Sequence, residues 1–292
     1  MKNYDLIGAA SGWGAKKRHT ELSPEELQKF FLQNNLSWKF SSILKSEASI
    51  LQTDIPVGMP SLPLVTSFCE RLAQATESSI TNHKIPLIIG GDHSCAIGSW
   101  SGIVKATNSY GKFGLIWIDA HMDSHTYNTS PSKAFHGMPV ATLLGYGEDV
   151  LINIGGAKAK ISPQHLSLIG IRSFEPEEEK LLNELGVRIY YMPEVVERTF
   201  PVVFNEALAR ANKDTLSFGV SLDLDAFDPK YVLGTGSLEP NGLSPDDVIP
   251  ELQGLLNHPK IAGFEIVEYN PRLDSNFTTA KVIINILDSI VA

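Results

Sequence analysis

Ile116-Trp-Ile-Asp-Ala-His-Met-Asp-Ser124 decides how this chain reads. The stretch enters as the apolar run Phe113 to Ile118, the pattern of a strand covered on both faces. It then delivers Asp119, His121 and Asp123 at every second position. Alternate residues of an extended chain share a face, so the two carboxylates and the imidazole converge. Burying them unpaired would cost several kcal/mol each, as an order of magnitude, and a cation at that spot removes the cost. A metal site at the end of a buried strand is the reading that follows.

Composition sets the outer bounds. The 292 residues are 43% hydrophobic and 20% charged, ordinary for a globular chain. No linker, charge block or repeat divides them, so residues 1–292 are expected to form one domain. A net charge of −9 speaks against a nucleic acid or an anionic membrane as partner, because both require a basic face. Cys69 and Cys95 lie in apolar segments and read as buried thiols rather than a disulfide. The first residues are too weakly apolar for a signal peptide, and no run reaches the roughly 18 apolar residues of a membrane span. The expected location is cytoplasmic.

Outward from the central strand, apolar runs and helical patterns alternate. Strands are expected at 4–10, 85–89, 113–118, 166–171, 187–192, 216–222 and 261–267. Helices are expected at 23–35, 62–82, 95–107, 177–185, 195–212 and 278–291. Ser23-Pro24-Glu25-Glu26 reads as a helix start with Ser23 as cap, and Ser244-Pro245-Asp246-Asp247 repeats the signature. Such alternation implies an α/β fold with a parallel sheet covered on both faces, whose ligands bind beyond the carboxyl ends of the strands.

The chemistry-bearing residues obey that rule. His93 follows one strand, Asp119, His121 and Asp123 a second, Asp223 and Asp225 a third, and Glu268 a fourth. An isolated Asp-x-His fits a turn beside a satisfied core histidine, and Asp223-Leu-Asp225 alone fits a helix cap. Together, two imidazoles and four carboxylates exceed a four-coordinate zinc site and suit a pair of divalent ions about 3.5–4 Å apart. Ligand hardness favours Mn2+. Four of the eight histidines, His93, His121, His125 and His136, crowd into these loops, whereas His19, His83, His165 and His258 read as surface or loop residues. His125 or His136 could carry a proton to a leaving group. Glu268 could grip a planar guanidinium.

Gly90-Gly-Asp-His-Ser94, Asp119-Ala-His-Met-Asp123, Ser221-Leu-Asp-Leu-Asp-Ala-Phe-Asp-Pro229 and Glu268-Tyr-Asn-Pro271 resemble, in family order, the motifs of the ureohydrolases: arginases, agmatinases and formiminoglutamases. The resemblance implies a three-layer α/β/α fold with a mostly parallel sheet of about eight strands, assembled as a trimer or hexamer. It implies two Mn2+ ions per chain, held by His93, Asp119, His121, Asp123, Asp223 and Asp225. Asp123 would also orient a metal-bridging hydroxide, His136 would shuttle the proton and Glu268 would hold the guanidinium. The implied activity is hydrolysis of L-arginine to urea and L-ornithine, a step of arginine metabolism.

Substrate recognition departs from the arginase pattern. Where arginases read Ser-Gly-Asn before the shuttling histidine, this chain has Ser132-Lys133-Ala134, and His125 stands at a typical asparagine. His125, Ser132 and Lys133 are therefore the candidates for a substrate carboxylate, and Glu175 and Glu178 for an α-amino group. The departures leave agmatine, another guanidino acid and formiminoglutamate open as substrates. A metal-dependent deacetylase would need fewer ligands, a phosphoesterase more cations than Arg172 and Lys133, and a silent homologue would be expected to have lost ligands.

Overall fold

The computed structural model of the protein describes residues 3–47, 55–156 and 159–292. Eight strands form one sheet: β1 (Tyr4–Ala10), β2 (Ser42–Lys45), β3 (Ile85–Ile89), β4 (Phe113–Ile118), β5 (Leu166–Ile171), β6 (Arg188–Tyr191), β7 (Ser217–Asp223) and β8 (Ile261–Val267). Their order across the sheet is β2-β1-β3-β8-β7-β4-β5-β6, and every neighbouring pair is parallel.

Strand alternation produces the two cores. Ile116, Ile118, Phe218, Val220 and Leu222 pack on one face with the helices Ser23–Gln33, Phe200–Asn212 and Thr278–Val291. Leu115, Trp117, Leu166 and Leu168 pack on the other with Leu62–Thr81, Cys95–Ala106 and Pro176–Leu185. The result is the three-layer α/β/α architecture expected. β3, β8, β7 and β4 lie side by side at the centre, so the loops after these four strands meet at one end of the sheet. Gly91 makes the turn after β3 possible: a Cβ there would sit 1.6 Å from the Ser11 carbonyl oxygen.

Several sequence expectations need correction. Ser23 is not a cap but the first helical residue, because a 3-10 turn at Thr20–Leu22 runs straight into the helix; Leu22 is the cap, and the Ser23 hydroxyl is buried without a hydrogen-bond partner. The helix expected at 195–212 is two, Met192–Arg198 and Phe200–Asn212, broken where Thr199 takes φ +73°. β2 escaped the pattern because it is a short, half-exposed edge strand. His165 is buried rather than at the surface; His258 does lie in a loop, its ring edge-on to Phe218 at 4.9 Å. Cys69 and Cys95 are free and buried, as read. No described helix is long and apolar enough to cross a membrane.

Candidate metal centre

Six ligand candidates from three strand ends converge in two groups that share Asp119. In the first, His93 Nδ1 lies 3.2 Å from Asp119 Oδ2, 3.0 Å from Asp123 Oδ2 and 3.0 Å from Asp223 Oδ2. In the second, His121 Nδ1 lies 3.1 Å from Asp225 Oδ2 and 3.5 Å from Asp119 Oδ1. The two oxygens of Asp119 thus face different groups, as a bridging carboxylate requires. Asp123 reaches inward from a left-handed backbone, φ +48°.

Backbone and aromatic donors hold these carboxylates in place. Asp119 accepts from Trp117 Nε1 at 2.9 Å and from the His121 amide at 2.7 Å. Asp223 accepts the Asp225 amide at 2.8 Å. The His93 ring stacks on Trp117, centroids 4.1 Å apart and planes within 7°. His93 Nδ1, although three oxygens lie within 3.2 Å, has no hydrogen bond of acceptable geometry and is buried. A buried nitrogen aimed between carboxylates but at none of them fits a lone pair directed at a cation. The same residues, oxygen-rich with two imidazoles, suit a pair of hard or borderline divalent ions.

The electrostatics agree. Burial pushes Asp223 and Asp123 above the usual carboxylate range, the former further raised by the Asp225 and Asp119 charges and the latter by Asp119. Burial likewise lifts Asp225 to about 6, with Asp119 adding to the rise and His121 opposing it. Burial disfavours charge on His93 and His121 too, yet their carboxylate neighbours outweigh it and hold both well above the ordinary imidazole value. Carboxylates raised by burial and by one another, beside imidazoles raised by those carboxylates, mark a site that gathers an excess of negative charge.

Beside this centre, His136 Nδ1 lies 3.1 Å from Glu268 Oε1, which also accepts the His93 amide at 2.9 Å. Burial pulls the His136 imidazolium down, but the hydrogen bond and charge of Glu268 dominate and bring it to about 9. A third group sits next to it: His125 Nε2 is 3.0 Å from Glu175 Oε2 and 3.4 Å from Glu178 Oε2. Glu178 caps its own helix through the Glu175 amide and also holds the Ser124 amide; burial raises it to about 8. Ser132 and Lys133 are turned into their own loop instead. The Ser132 hydroxyl accepts the Ala134 amide at 3.1 Å, and the Lys133 ammonium donates to the Tyr127 carbonyl at 2.8 Å.

Sequence reasoning gave no part in the site to Asp92, Glu239, Ser221 or Glu265, and weighed Arg172 only as a cation for phosphate. Asp92 pins the Gly14 and Ser94 amides, tying the β1 loop to the His93 loop. Arg172 is spent on the carbonyls of Gly170, Asp225, Glu239 and Pro240, so it is not available to a phosphate. Glu239 reaches within 3.7 Å of His121 Nε2. Ser221 and Glu265, polar residues in otherwise apolar strands, were the one signal that pattern alone offered.

A three-layer α/β/α fold with this paired cluster of acids and histidines at the carboxyl end of its sheet suits a metal-dependent enzyme. The Arginase family model matches residues 2–292, and the chain belongs to that family of C–N hydrolases acting on guanidino groups. An arginase of Bacillus caldovelox is 34% identical, the match covering 99% of this chain and 98% of the relative. The crystal structure of arginase from Bacillus subtilis superposes with a TM-score of 0.86 at 32% identity, covering 100% of this chain and 99% of that one. The formimidoylglutamase of Bacillus subtilis shares the fold, with a TM-score of 0.78 at 23% identity over 100% of this chain and 86% of its own.

Proposed function

We propose that this protein hydrolyses L-arginine to urea and L-ornithine with two manganese ions held by His93, Asp119, Asp123 and Asp223 on one side and Asp119, His121 and Asp225 on the other. The observation that carries the reading is the shared Asp119, one oxygen facing each histidine. Divalent ions bound there would supply an activated water near neutral pH. Asp123 orients that water. Glu268 holds the guanidinium: both of its described contacts fall on Oε1, which leaves Oε2 to accept a guanidinium N–H. His136 carries a proton at neutral pH, and with Nδ1 on Glu268 its Nε2 is free to deliver that proton to the leaving amine.

Glu175 and His125 form the polar end of the head-group site, with Glu178 and Ser132 supporting it. Lys133 acts through the loop it fastens. Lys133→Ala should raise KM for arginine about threefold to tenfold, near 1 kcal/mol, with a smaller change in kcat. An unchanged KM would remove Lys133 from the site. The whole chain works as one domain, in the cytoplasm and as a homo-oligomer, trimeric or hexameric.

The test is product release by manganese-loaded protein with L-arginine, agmatine, 4-guanidinobutyrate and formiminoglutamate, with formamide measured for the last. Turnover of arginine above the rest supports the reading. Preference for a compound lacking the α-amino or α-carboxylate group would overturn the substrate and keep the metal chemistry. No turnover with two ions bound would overturn the activity.

A further inference from the structure

Glu265 sits in the middle of β8 with no exposure to solvent. It pairs across the sheet with Ser221 of β7. Three side chains donate to it: Ser99 Oγ to Oε1 at 2.6 Å, and Ser221 Oγ and Trp100 Nε1 to Oε2 at 2.8 and 3.1 Å. None of these three partners is a cation, so the buried carboxylate is held directly by neutral donors, with only the His93 ring one hydroxyl away to lend positive charge. Ser221 Oγ also lies 3.1 Å from His93 Nε2. A continuous chain therefore runs Trp100–Glu265–Ser221–His93 and ends at the nitrogen opposite the one that faces Asp119, Asp123 and Asp223.

We infer that Glu265 is a positioning residue that, through Ser221, keeps the His93 proton on Nε2 and the Nδ1 lone pair directed at the metal. The inference rests on the proposed metal reading. Its logic is the direction of each bond. An indole nitrogen can only donate, so Oε2 must accept from Trp100. Oε2 then accepts from Ser221 as well, and the single Ser221 proton is committed. Ser221 can offer His93 only a lone pair, which requires a proton on Nε2. The opposite tautomer would place its proton among three carboxylates and have no lone pair there to bind an ion. Second partners that fix a ligand histidine in this way are worth about tenfold to a hundredfold in metal affinity.

The same directionality supplies the test. In Glu265→Gln, Trp100 forces the amide oxygen into the Oε2 place and turns the NH2 toward Ser99, which can accept it. The chain keeps its direction, and Mn2+ affinity should stay within about threefold of wild type. In Glu265→Met the acceptor is gone, and the Ser221 hydroxyl can turn to donate to His93 Nε2. Affinity for the ion at His93 should fall about tenfold or more. If that variant does not fold, Trp100→Phe combined with Glu265→Gln keeps the core filled and frees the amide to flip, and the double variant should lose affinity where Glu265→Gln does not. Mn2+ binding is followed by electron paramagnetic resonance. The His93 ring nitrogens are read by 15N NMR of zinc-loaded protein, where the proton should sit on Nε2 in wild type and in Glu265→Gln. Equal Mn2+ binding by a folded Glu265→Met or by the double variant would overturn the proposal, as would a loss in Glu265→Gln that matches the loss in Glu265→Met. Wild-type protein that binds fewer than two Mn2+ would instead overturn the metal reading beneath it.

Discussion

The two halves of the ligand cluster share a carboxylate and differ in nearly everything behind it. The His93 side chain is 1% exposed, backed by the Trp117 ring and by the Ser221–Glu265 chain in the sheet. The His121 side chain is 27% exposed, and its far nitrogen faces the partly exposed Glu239. The first half is backed by side chains from strands, Trp117, Ser221 and Glu265, and the second faces a loop that meets solvent. The difference predicts that an ion held by the His93 group would be fixed by the sheet, while one held by the His121 group would stay open to exchange with solvent.

The largest effect should come from the residue the halves share. Asp119→Ala should abolish binding at both positions and reduce urea release to background, measured by metal content and product assay. Retention of one tightly bound ion would show that the halves are independent. Asp225→Ala should be narrower in metal content, losing the His121-side ion but keeping the other, with activity lost all the same. Asp223→Ala should strip the His93 side. Equal losses from the two variants would erase the comparison.

Chelation should sharpen it. EDTA added to the two-ion enzyme should remove the ion on the His121 side first, so that metal loss is biphasic. A single phase with both ions leaving together would contradict the difference in exposure. The smallest effect is the pH dependence of binding to the ion-free protein. His93 and His121 are held protonated well above their ordinary value by neighbouring carboxylates, so binding must displace protons. Affinity should therefore rise with pH through the neutral range, by up to about tenfold per unit for each proton released. Calorimetry in buffers of different ionisation enthalpy counts those protons, and a count of zero would refute the protonated ion-free state.

How far the sequence reached depended on whether a feature was periodic or relational. Seven strands and the six acids and histidines that meet at the centre were legible, because apolar runs ending in alternate-position acids break the chemistry of a buried strand visibly. The edge strand Ser42–Lys45 is no shorter than Arg188–Tyr191 but has no buried residue, so it shows no apolar run. The break at Thr199 is a local backbone choice inside a continuous helical pattern, with Pro201 able to start a new helix. The commitments of Arg172 and Lys133 to backbone carbonyls depend on folded loops that no spacing encodes. Glu265 drew no assignment from the sequence. Its meaning needed the register that sets it opposite Ser221, and that register follows from a strand order that brings β8 between β3 and β7.

The central claim is that two ions, bridged by Asp119, are needed for guanidino hydrolysis. A titration of metal-stripped protein with Mn2+, following urea release from L-arginine against ions bound per chain, tests it most directly. Activity should be negligible without metal and reach its plateau only as the second ion binds. Full activity in stripped protein, or a plateau at one ion, would contradict it.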